Sequence, residues 1–429
     1  MAVTNITVPA GGAATVGNND TNVYGPGNAT VAAGNGTDAF QILGSARLAI
    51  GSGANNINIL GNGTVSGSLS SSSSSRISTS SRNAAPVVLP GGANQITIGG
   101  IGAVTLGGGA NSVRLGSGSV SVGNGANNIS VSGSGSVAVG TGADSISIGG
   151  AGTVSGSTAS TLGNRVTIGG PGRVTLGGGA DTVQMSSGTA SVGNGNNVVS
   201  VAGSASVVAG TGNDTISTGA GTISAGAGND AITMSGSGSI NAGTGIDSIS
   251  LGAGSNTVAA AGTATVTAAA GTSASIAAGS VQIVNNGAVQ TDKVLSGSVT
   301  ILGGSGAVRF IGGASGTTAS LRGGTGADTF VGGAGRDTMV AGSGSNLFEF
   351  FKSTQAGAFG AGAGGTHTIM GFTTASTLYV EGYTLAQLQT LKAIKVVGGN
   401  TVITLADKTS ITLVGVTQVN SGQFVTSPI

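Results

Sequence analysis

The chain has 429 residues, among them 86 glycines, and only 3% of its residues are aromatic and 6% are charged. Its 14 basic and 13 acidic residues are scattered and leave a net charge of +1, which excludes the clustered Lys/Arg surface that nucleic-acid binding requires. No stretch approaches the roughly 18 consecutive apolar residues of a membrane helix, so no membrane insertion is expected.

The first predicted element is a strand in the N-terminal segment, residues 1–33. Apolar and polar residues alternate from Ala2 to Val8, with no recognisable cap ahead of them. The same segment lacks the basic stretch and the apolar run of a cleavable secretion signal. We therefore expect a free strand here.

A short repeat fills residues 34–260. Twelve times a glycine turn is followed by Asp or Asn and then by alternating apolar and polar residues, and most copies are 16 or 17 residues apart. These twelve positions are Asp38, Asn55, Asn94, Asn111, Asn127, Asp144, Asn164, Asp181, Asn197, Asp214, Asp230 and Asp247. Each period also holds a second glycine turn and a second alternating run. Two such short strands bury their apolar faces only by stacking on further copies, which predicts an all-β, parallel β-solenoid.

The apolar residue two positions after each Asp or Asn is predicted to belong to one inward stack. The predicted stack contains Ile96, Val113, Ile129, Ile146, Val166, Val183, Val199, Ile216, Ile232 and Ile249.

A serine-rich stretch, residues 68–86, interrupts the period. The interval from Asn55 to Asn94 is 39 residues, whereas the matching interval after Asp144 is 20 residues. The excess predicts a loop inserted between turns, outside the stacked core. A tolerated surface insertion is the simpler interpretation, and a contact arm for another subunit is the alternative.

An Ala- and Gly-rich segment, residues 261–322, loses the Asp/Asn positions and is predicted to continue the solenoid. Three nonapeptides of the form G-G-x-G-x-D-x-U-x follow in residues 323–350, starting at Gly323, Gly332 and Ala341. In these nonapeptides the chain resembles the RTX (repeats-in-toxin) family, whose repeats bind calcium in a parallel β-roll. The resemblance extends in weaker form to residues 34–260.

Residues 351–429 predict a small α+β cap. Thr384 can cap a short helix, and turns at Gly398–Gly399 and Asp407–Lys408 separate alternating strands. This region is similar to the C-terminal part of RTX proteins exported by type I secretion, whose export signal is C-terminal and uncleaved. The resemblance implies an extracellular or cell-surface protein exported by a type I-like route.

The resemblance also implies Ca²⁺ ligands, because loop carboxylates and backbone carbonyls of successive turns supply hard oxygen atoms. The candidate ligands are Asp144, Asp181, Asp214, Asp230, Asp247, Asp328, Asp337 and Asn346. Six of the twelve repeat positions are Asn, whose single neutral oxygen should bind Ca²⁺ weakly. Alternatively, Asp and Asn are present because they tolerate turn geometry, and stacked Asn can form hydrogen-bonded ladders.

The sequence contains no catalytic constellation, so we expect no enzyme. The single histidine, His367, has no motif around it and suits a surface or structural role, and neither Glu349 nor Glu381 is paired in sequence with another acid.

Three non-enzymatic functions remain. The first is self-assembly, as a homo-oligomer or polymer, into a filament or surface layer on or outside the bacterial cell. The second is an extracellular adhesin or biofilm-matrix module that binds cell-surface carbohydrate or another surface. Ice binding is the third, and it is less favoured because Arg114 and Gln184 interrupt the outward Thr and Ser array.

Overall fold

The computed structural model describes residues 4–51, 54–61, 63–67, 75–79, 86–89, 91–269, 272–285, 290–351 and 364–427. The chain divides into two compact units, residues 1–211 and residues 212–429. Within the described residues, no helix combines the length and the apolar character needed to cross a bilayer.

The strands of the first unit follow one another with short loops between them. They are β1 (Thr4–Thr7), β2 (Gly12–Val16), β3 (Thr21–Gly25), β4 (Ala29–Ala33), β5 (Ala39–Ile42), β6 (Ala46–Ile50), β7 (Asn56–Ile59), β8 (Gly63–Gly67), β9 (Arg76–Thr79), β10 (Val87–Leu89), β11 (Gln95–Leu106), β12 (Ser112–Val122), β13 (Asn128–Val131), β14 (Gly135–Ala138), β15 (Ser145–Ile148), β16 (Gly152–Ser155), β17 (Arg165–Thr175), β18 (Thr182–Ser191) and β19 (Val198–Val208).

Each turn of the first unit contributes one strand segment to each of two faces. On one face β13 pairs in parallel with β12 and β15, and on the other β14 pairs in parallel with β12 and β16. Longer strands such as β11 and β12 supply both segments of a turn without a break. Successive turns therefore stack in register, as a parallel β-solenoid requires, and the predicted fold class is confirmed.

The core runs between the two faces because alternate residues of every strand point inward. All ten residues of the predicted inward stack are only 0 or 1% exposed. On the opposite face Val104, Val120, Val137, Val154 and Val174 lie in register on successive turns and are equally buried. Full burial of a Val or Ile side chain is worth about 1.5–3 kcal/mol, so these apolar stacks stabilise the repeat.

The structure corrects the predicted insertion at residues 68–86. β9 lies in register between β7 and β11, with Ile77 between Ile57 and Ile96. Ile77 is 1% exposed, and Ser75 is also buried. The stretch therefore contributes part of a stacked turn, because the alternation around Ile77 keeps the period of two that a half-buried strand needs.

The strand that follows that stretch belongs to the same stacked turn. β10 lies in register between β8 and β11, and so supplies the second face of this turn. Residues 68–74 and 80–85, which belong to the predicted insertion, lie outside the described residues.

The solenoid also extends further toward the N-terminus than the predicted boundary at residue 34. β1 pairs in parallel with β3, and β2 pairs in parallel with β4. The repeat was hidden here because Thr21 occupies the position that Asp38 holds on the next turn. The predicted N-terminal strand is thus part of a solenoid turn.

The strands of the second unit continue the same construction and end in a different motif. They are β20 (Thr215–Ser224), β21 (Ala231–Met234), β22 (Gly238–Gly243), β23 (Ile246–Leu251), β24 (Gly254–Ala268), β25 (Thr272–Asn285), β26 (Gln290–Leu302), β27 (Val308–Ile311), β28 (Thr318–Arg322), β29 (Thr329–Val331), β30 (Arg336–Val340), β31 (Leu347–Phe350), β32 (Thr366–Met370), β33 (Thr377–Val380), β34 (Ile394–Val397), β35 (Asn400–Thr404), β36 (Ser410–Leu413) and β37 (Phe424–Val425).

Parallel stacking in the second unit passes through the Ala-rich segment and the nonapeptides. β24, β25 and β26 pair in register, followed by β28, β30 and β32 on one face and by β27, β29, β31 and β33 on the other. Phe310, Phe330 and Phe348 stack on successive turns, with ring centroids 4.8 Å apart in both pairs. The aromatic stack fills the core of the nonapeptide turns.

A small α+β cap follows, as predicted. Helix α1 (Leu385–Thr390) begins with a capping box, in which Thr384 Oγ1 accepts from the Gln387 N–H at 3.3 Å and the Gln387 side chain accepts from the Thr384 N–H at 2.8 Å. β34, β35 and β36 form an antiparallel meander. β36 and β37 then pair in parallel with β32 and β33, which attaches the cap to the last solenoid turn.

Candidate metal centre

The repeated Asp and Asn residues lie inside the solenoid, along one of its edges. We call the twelve positions from Asp38 to Asp247 the Asx column. Although they are polar, all twelve are buried, with exposures between 0 and 4%. A buried polar side chain needs a hydrogen-bond partner, so the contacts of these residues decide what the column does.

Oδ1 of the column residues accepts a hydrogen bond from a backbone N–H of the preceding turn. Oδ1 of Asn111 accepts from the N–H of Asn94 at 3.1 Å, and Oδ1 of Asn127 accepts from the N–H of Asn111 at 3.1 Å. Asp144 and Asp181 do the same for the N–H groups of the Asn residues before them, at 2.9 and 2.7 Å. This contact is common to Asp and Asn and holds consecutive turns in register.

In Asn94, Asn111, Asn127 and Asn197 the second terminal atom, Nδ2, donates to carbonyl oxygens of the residue's own loop. Nδ2 of Asn111 donates to the carbonyl oxygens of Gly109 at 2.9 Å and Gly107 at 3.4 Å, and also to Oδ1 of Asn127 at 3.0 Å. Nδ2 of Asn197 donates to the carbonyls of Gly195 and Gly193 at 2.8 and 3.0 Å. The hydrogen-bonded ladder expected for stacked Asn is therefore present.

An Asp at the same position has no proton to give to those carbonyls. The Oδ2 atoms of Asp38, Asp144 and Asp181 are buried and have no hydrogen-bond partner among the described residues. Burial raises the pKa of Asp144 and Asp181, against the hydrogen bonds from Asn127 and Asn164, which lower it. Oδ2 of each of these carboxylates is thus an acceptor that a cation or a proton could satisfy.

The surrounding loop suits a hard cation. Gly125 and Gly142, two residues before Asn127 and Asp144, both have positive φ, at 126° and 155°, and the Gly125 N–H donates to the Thr141 carbonyl at 2.8 Å, which ties the two loops together. The loop before Asn127 directs two carbonyl oxygens toward the amide, and the loop before Asp144, with glycines at the same two positions, offers candidate oxygen ligands beside the carboxylate. Oxygen-only ligand sets of this kind are those that Ca²⁺ prefers.

Backbone atoms must complete any such site. Within the described part of the chain, no three His, Cys, Asp or Glu side chains converge. An ion held by Asp144 would therefore take its other protein ligands from the loop carbonyls, notably those of Gly140 and Gly142, the counterparts of the glycines that bind the Asn amides.

Three consecutive column residues of the second unit are all Asp. The N–H of Asp214 donates to Oδ1 of Asp230 at 2.8 Å, and that of Asp230 donates to Oδ1 of Asp247 at 3.1 Å. Oδ2 of Asp230 and Oδ2 of Asp247 are buried without a hydrogen-bond partner in the described residues. Burial raises the pKa of both, and the charge of Asp230 raises that of Asp247 further. Cations between these turns would remove the repulsion.

The candidate residues of the nonapeptides lie on two faces. Asp328 and Asn346 occupy successive turns of one face, where the Asp328 N–H donates to Oδ1 of Asn346 at 2.9 Å. Both oxygens of Asp328 accept backbone N–H groups, from Val308 at 2.9 Å and Gly324 at 3.1 Å. Nδ2 of Asn346 donates to two loop carbonyls. Protein hydrogen bonds thus already engage both side chains.

Asp337 lies on the opposite face and has a histidine as its neighbour. It pairs in register with His367 on the next turn, and Oδ2 of Asp337 is 3.0 Å from Nδ1 of His367. Both residues are only 1% exposed, and the imidazole also packs on Phe350, with ring centroids 4.9 Å apart. His367 is therefore a buried residue and not a surface one, and Asp337 differs from the other candidates in having a histidine side chain beside it, while its Oδ2 also accepts the Gly333 N–H at 3.3 Å.

Sequence reasoning missed two members of the ladder and the role of the loop glycines. Thr21 and Ser75 occupy column positions, and their N–H groups donate to Oδ1 of Asp38 and Asn94 at 3.1 and 3.0 Å. A signal for the carbonyl contacts was present in the sequence, as glycine at positions two and four before most column residues.

The sequence profile of the RTX calcium-binding nonapeptide repeat matches residues 199–232, 232–262 and 318–348. These ranges include Asp214, Asp230 and Asp247 of the Asx column as well as the C-terminal nonapeptides. A search of curated proteins finds no match to the chain.

Proteins with such repeats are typically structural or toxin-like rather than enzymatic, and the repeats are typical of proteins exported by type I secretion, which suggests an extracellular location. The matched ranges therefore contain RTX calcium-binding nonapeptide repeats, which indicate Ca²⁺ binding, and the parallel β-solenoid is consistent with an RTX β-roll.

Proposed function

We propose that the protein is a secreted, non-enzymatic structural protein that assembles with copies of itself on or outside the bacterial cell, into a filament or a surface layer. Calcium in the loops of the Asx column supports the solenoid, because a cation compensates carboxylates that the fold buries. Assembly needs a surface that one copy offers to another, and we place it at the outer edge of β1 and β2.

The observation that carries the proposal is the outer edge of β1 and β2. Among the described residues, β1 pairs only with β3, and β2 pairs only with β4. The N–H groups of Thr4 and Val8 donate to carbonyls on the β3 side, at 3.1 and 2.8 Å. Because alternate residues of a parallel strand bond to opposite sides, the N–H groups of Asn5 and Thr7 point to the outer side. An unpaired strand edge of this kind is a template for strand addition.

The opposite kind of end occurs in the second unit, where the cap covers the last turns. β36 and β37 occupy the far sides of β32 and β33, and the antiparallel meander continues from them. A capped solenoid end is protected from strand addition, so the open edge in the first unit is the better candidate for contact between copies.

The test is to block the outer edge without disturbing the inner one. Thr7→Pro removes an N–H that points outward and leaves the bonds to β3 intact, and proline is tolerated on edge strands. We expect the wild-type protein with Ca²⁺ to form large particles by light scattering and ordered assemblies by electron microscopy, and Thr7→Pro to stay small while keeping its circular dichroism spectrum. Thr97→Ala, an exposed change in mid-unit, is the control and should assemble normally. A wild-type protein that stays monomeric at high concentration with Ca²⁺ would refute self-assembly.

A second function, adhesion to an acidic polysaccharide, is favoured by the charge on the faces of the first unit. Its five described arginines, Arg47, Arg76, Arg114, Arg165 and Arg173, are all exposed. The only acids in residues 1–211 are Asp20 and three buried column residues. Among the described residues of the first unit, the exposed charges are therefore mostly positive. Adhesion predicts salt-sensitive co-sedimentation with a polyuronate but not with neutral dextran, and weaker binding after Arg114→Ser and Arg165→Ser.

A further inference from the structure

The loops of the Asx column come in two chemical forms with one backbone arrangement. In the Asn form, Nδ2 of Asn127 donates to the carbonyls of Gly125 and Gly123 at 2.8 and 3.3 Å and to Oδ1 of Asp144 at 2.8 Å. In the Asp form, the atom at the same branch of Asp144 is Oδ2, which has no partner among the described residues.

The two forms leave the rest of the loop unchanged. Oδ1 accepts the N–H of the preceding column residue in both cases, at 3.1 Å for Asn127 and at 2.9 Å for Asp144. Glycines stand two and four positions before each residue: Gly125 and Gly123, and Gly142 and Gly140. The difference is therefore confined to one terminal group, which is a neutral NH₂ donor in Asn and a carboxylate oxygen acceptor in Asp.

We propose that the Asn side-chain amide takes the place of a bound Ca²⁺ in this fold, so that a turn of the Asx column is closed either by an Asn amide, as at Asn127, or by an ion at an Asp. The amide hydrogens of Nδ2 meet the same carbonyl oxygens that would otherwise coordinate the cation. An Asn turn needs no metal, and an Asp turn needs one.

This rule divides the column into segments with different calcium requirements. Asn94, Asn111 and Asn127 occupy three successive turns and close without an ion. Asp144 and Asp181 are single sites, each preceded by an Asn whose Nδ2 donates to the Asp Oδ1, at 2.8 and 3.0 Å. Both single sites lie outside the residues that the RTX profile matches.

The test converts one form into the other in both directions in the full chain. Asn111→Asp should create a site, and Asp144→Asn should remove one. We expect equilibrium dialysis against Ca²⁺ to show about one ion more per chain for Asn111→Asp and about one fewer for Asp144→Asn than for wild type. In excess chelator, Asn111→Asp should melt below wild type and Asp144→Asn at or above it.

Each other outcome decides against the proposal. An Asn111→Asp protein that keeps its circular dichroism spectrum but binds the wild-type number of ions overturns it. An Asn111→Asp protein that stays unfolded in saturating Ca²⁺ also overturns it, because the ion should then replace the lost amide. The same holds for an Asp144→Asn protein with an undiminished ion count, or with a melting temperature in chelator below that of wild type.

Discussion

Asn127 and Asp144 lie on successive turns at the same position of their loops, but only Asn127 has hydrogen-bond partners for both terminal atoms of its side chain. Asn127 donates from Nδ2 to Oδ1 of Asp144 at 2.8 Å, while Oδ2 of Asp144 is buried with no partner in the described residues. A buried carboxylate without a counter-charge is costly, whereas a buried amide with all its partners is not. The stability of the solenoid should therefore depend on calcium where the column contains Asp and not where it contains Asn.

The first prediction compares Asp230→Ala with Asn127→Ala. Asp230 has an unpartnered Oδ2 on a turn between two other Asp residues, so removing it should delete part of the calcium response. At a Ca²⁺ concentration about 100-fold above Kd, loss of one site should remove about 2.7 kcal/mol of the calcium-induced stabilisation. Thermal melts with Ca²⁺ and with chelator measure it.

Asn127→Ala is the matched control, since it removes a column residue whose side-chain amide closes the loop without an ion. It should cost about 1–3 kcal/mol equally with and without Ca²⁺, because the Gly125 carbonyl and its other partners lose their donor. If the wild-type protein instead has the same melting temperature with Ca²⁺ and with chelator, the only role of Asp and Asn is to form turns.

The second prediction is a pH dependence in the absence of calcium. Burial raises the folded-state pKa of Asp144, Asp181, Asp230 and Asp247 above the ordinary value of 3.8. Groups whose folded pKa is raised contribute stability that is full below the unfolded pKa and is lost as the pH rises through the folded pKa. In chelator, the melting temperature should therefore fall as the pH rises above about 4.

Calcium should reverse this trend, because it replaces the protons that the carboxylates lose. With Ca²⁺ present, the melting temperature at the higher pH should be at least as high as at the lower one. A chelated protein that grows more stable as the pH rises over this range would contradict the buried, uncompensated state of these carboxylates.

The sequence predicts those features of the fold that depend on residues close together in the chain. Burial of Ile146 and its counterparts follows from alternation within a few residues, and glycine spacing sets the period. Ser75 was not recognised as a column position, because its place is defined by register with Asn94 on the next turn rather than by its own identity. The unpartnered Oδ2 of Asp144 could not be foreseen either, since it depends on where the backbone of the preceding loop directs its oxygens.

The third prediction concerns two adjacent glycines of one loop. Gly109 has a φ of 124°, and a Cβ there would overlap the carbonyl of Gly92 on the preceding turn. Gly109→Ala should therefore destabilise the protein by about 1–3 kcal/mol, through backbone strain and the displaced carbonyl. Its neighbour provides the control: a Cβ at Gly108 would lie 3.5 Å from the Asn124 carbonyl, an ordinary contact. Denaturant titration should show little loss for Gly108→Ala, and equal losses would contradict the close stacking of these loops.

The last prediction tests the buried pair of Asp337 and His367. Oδ2 of Asp337 lies 3.0 Å from Nδ1 of His367 and also accepts the Gly333 N–H at 3.3 Å, and both side chains are nearly inaccessible to solvent. His367→Ala leaves the carboxylate without its histidine partner and should lower the free energy of unfolding by about 3–5 kcal/mol. The double variant Asp337→Ala/His367→Ala removes both polar groups and should lose less than the sum of the single variants. Denaturant unfolding of the four proteins in Ca²⁺ gives the coupling energy directly. Additive losses would show that Asp337 does not depend on the histidine.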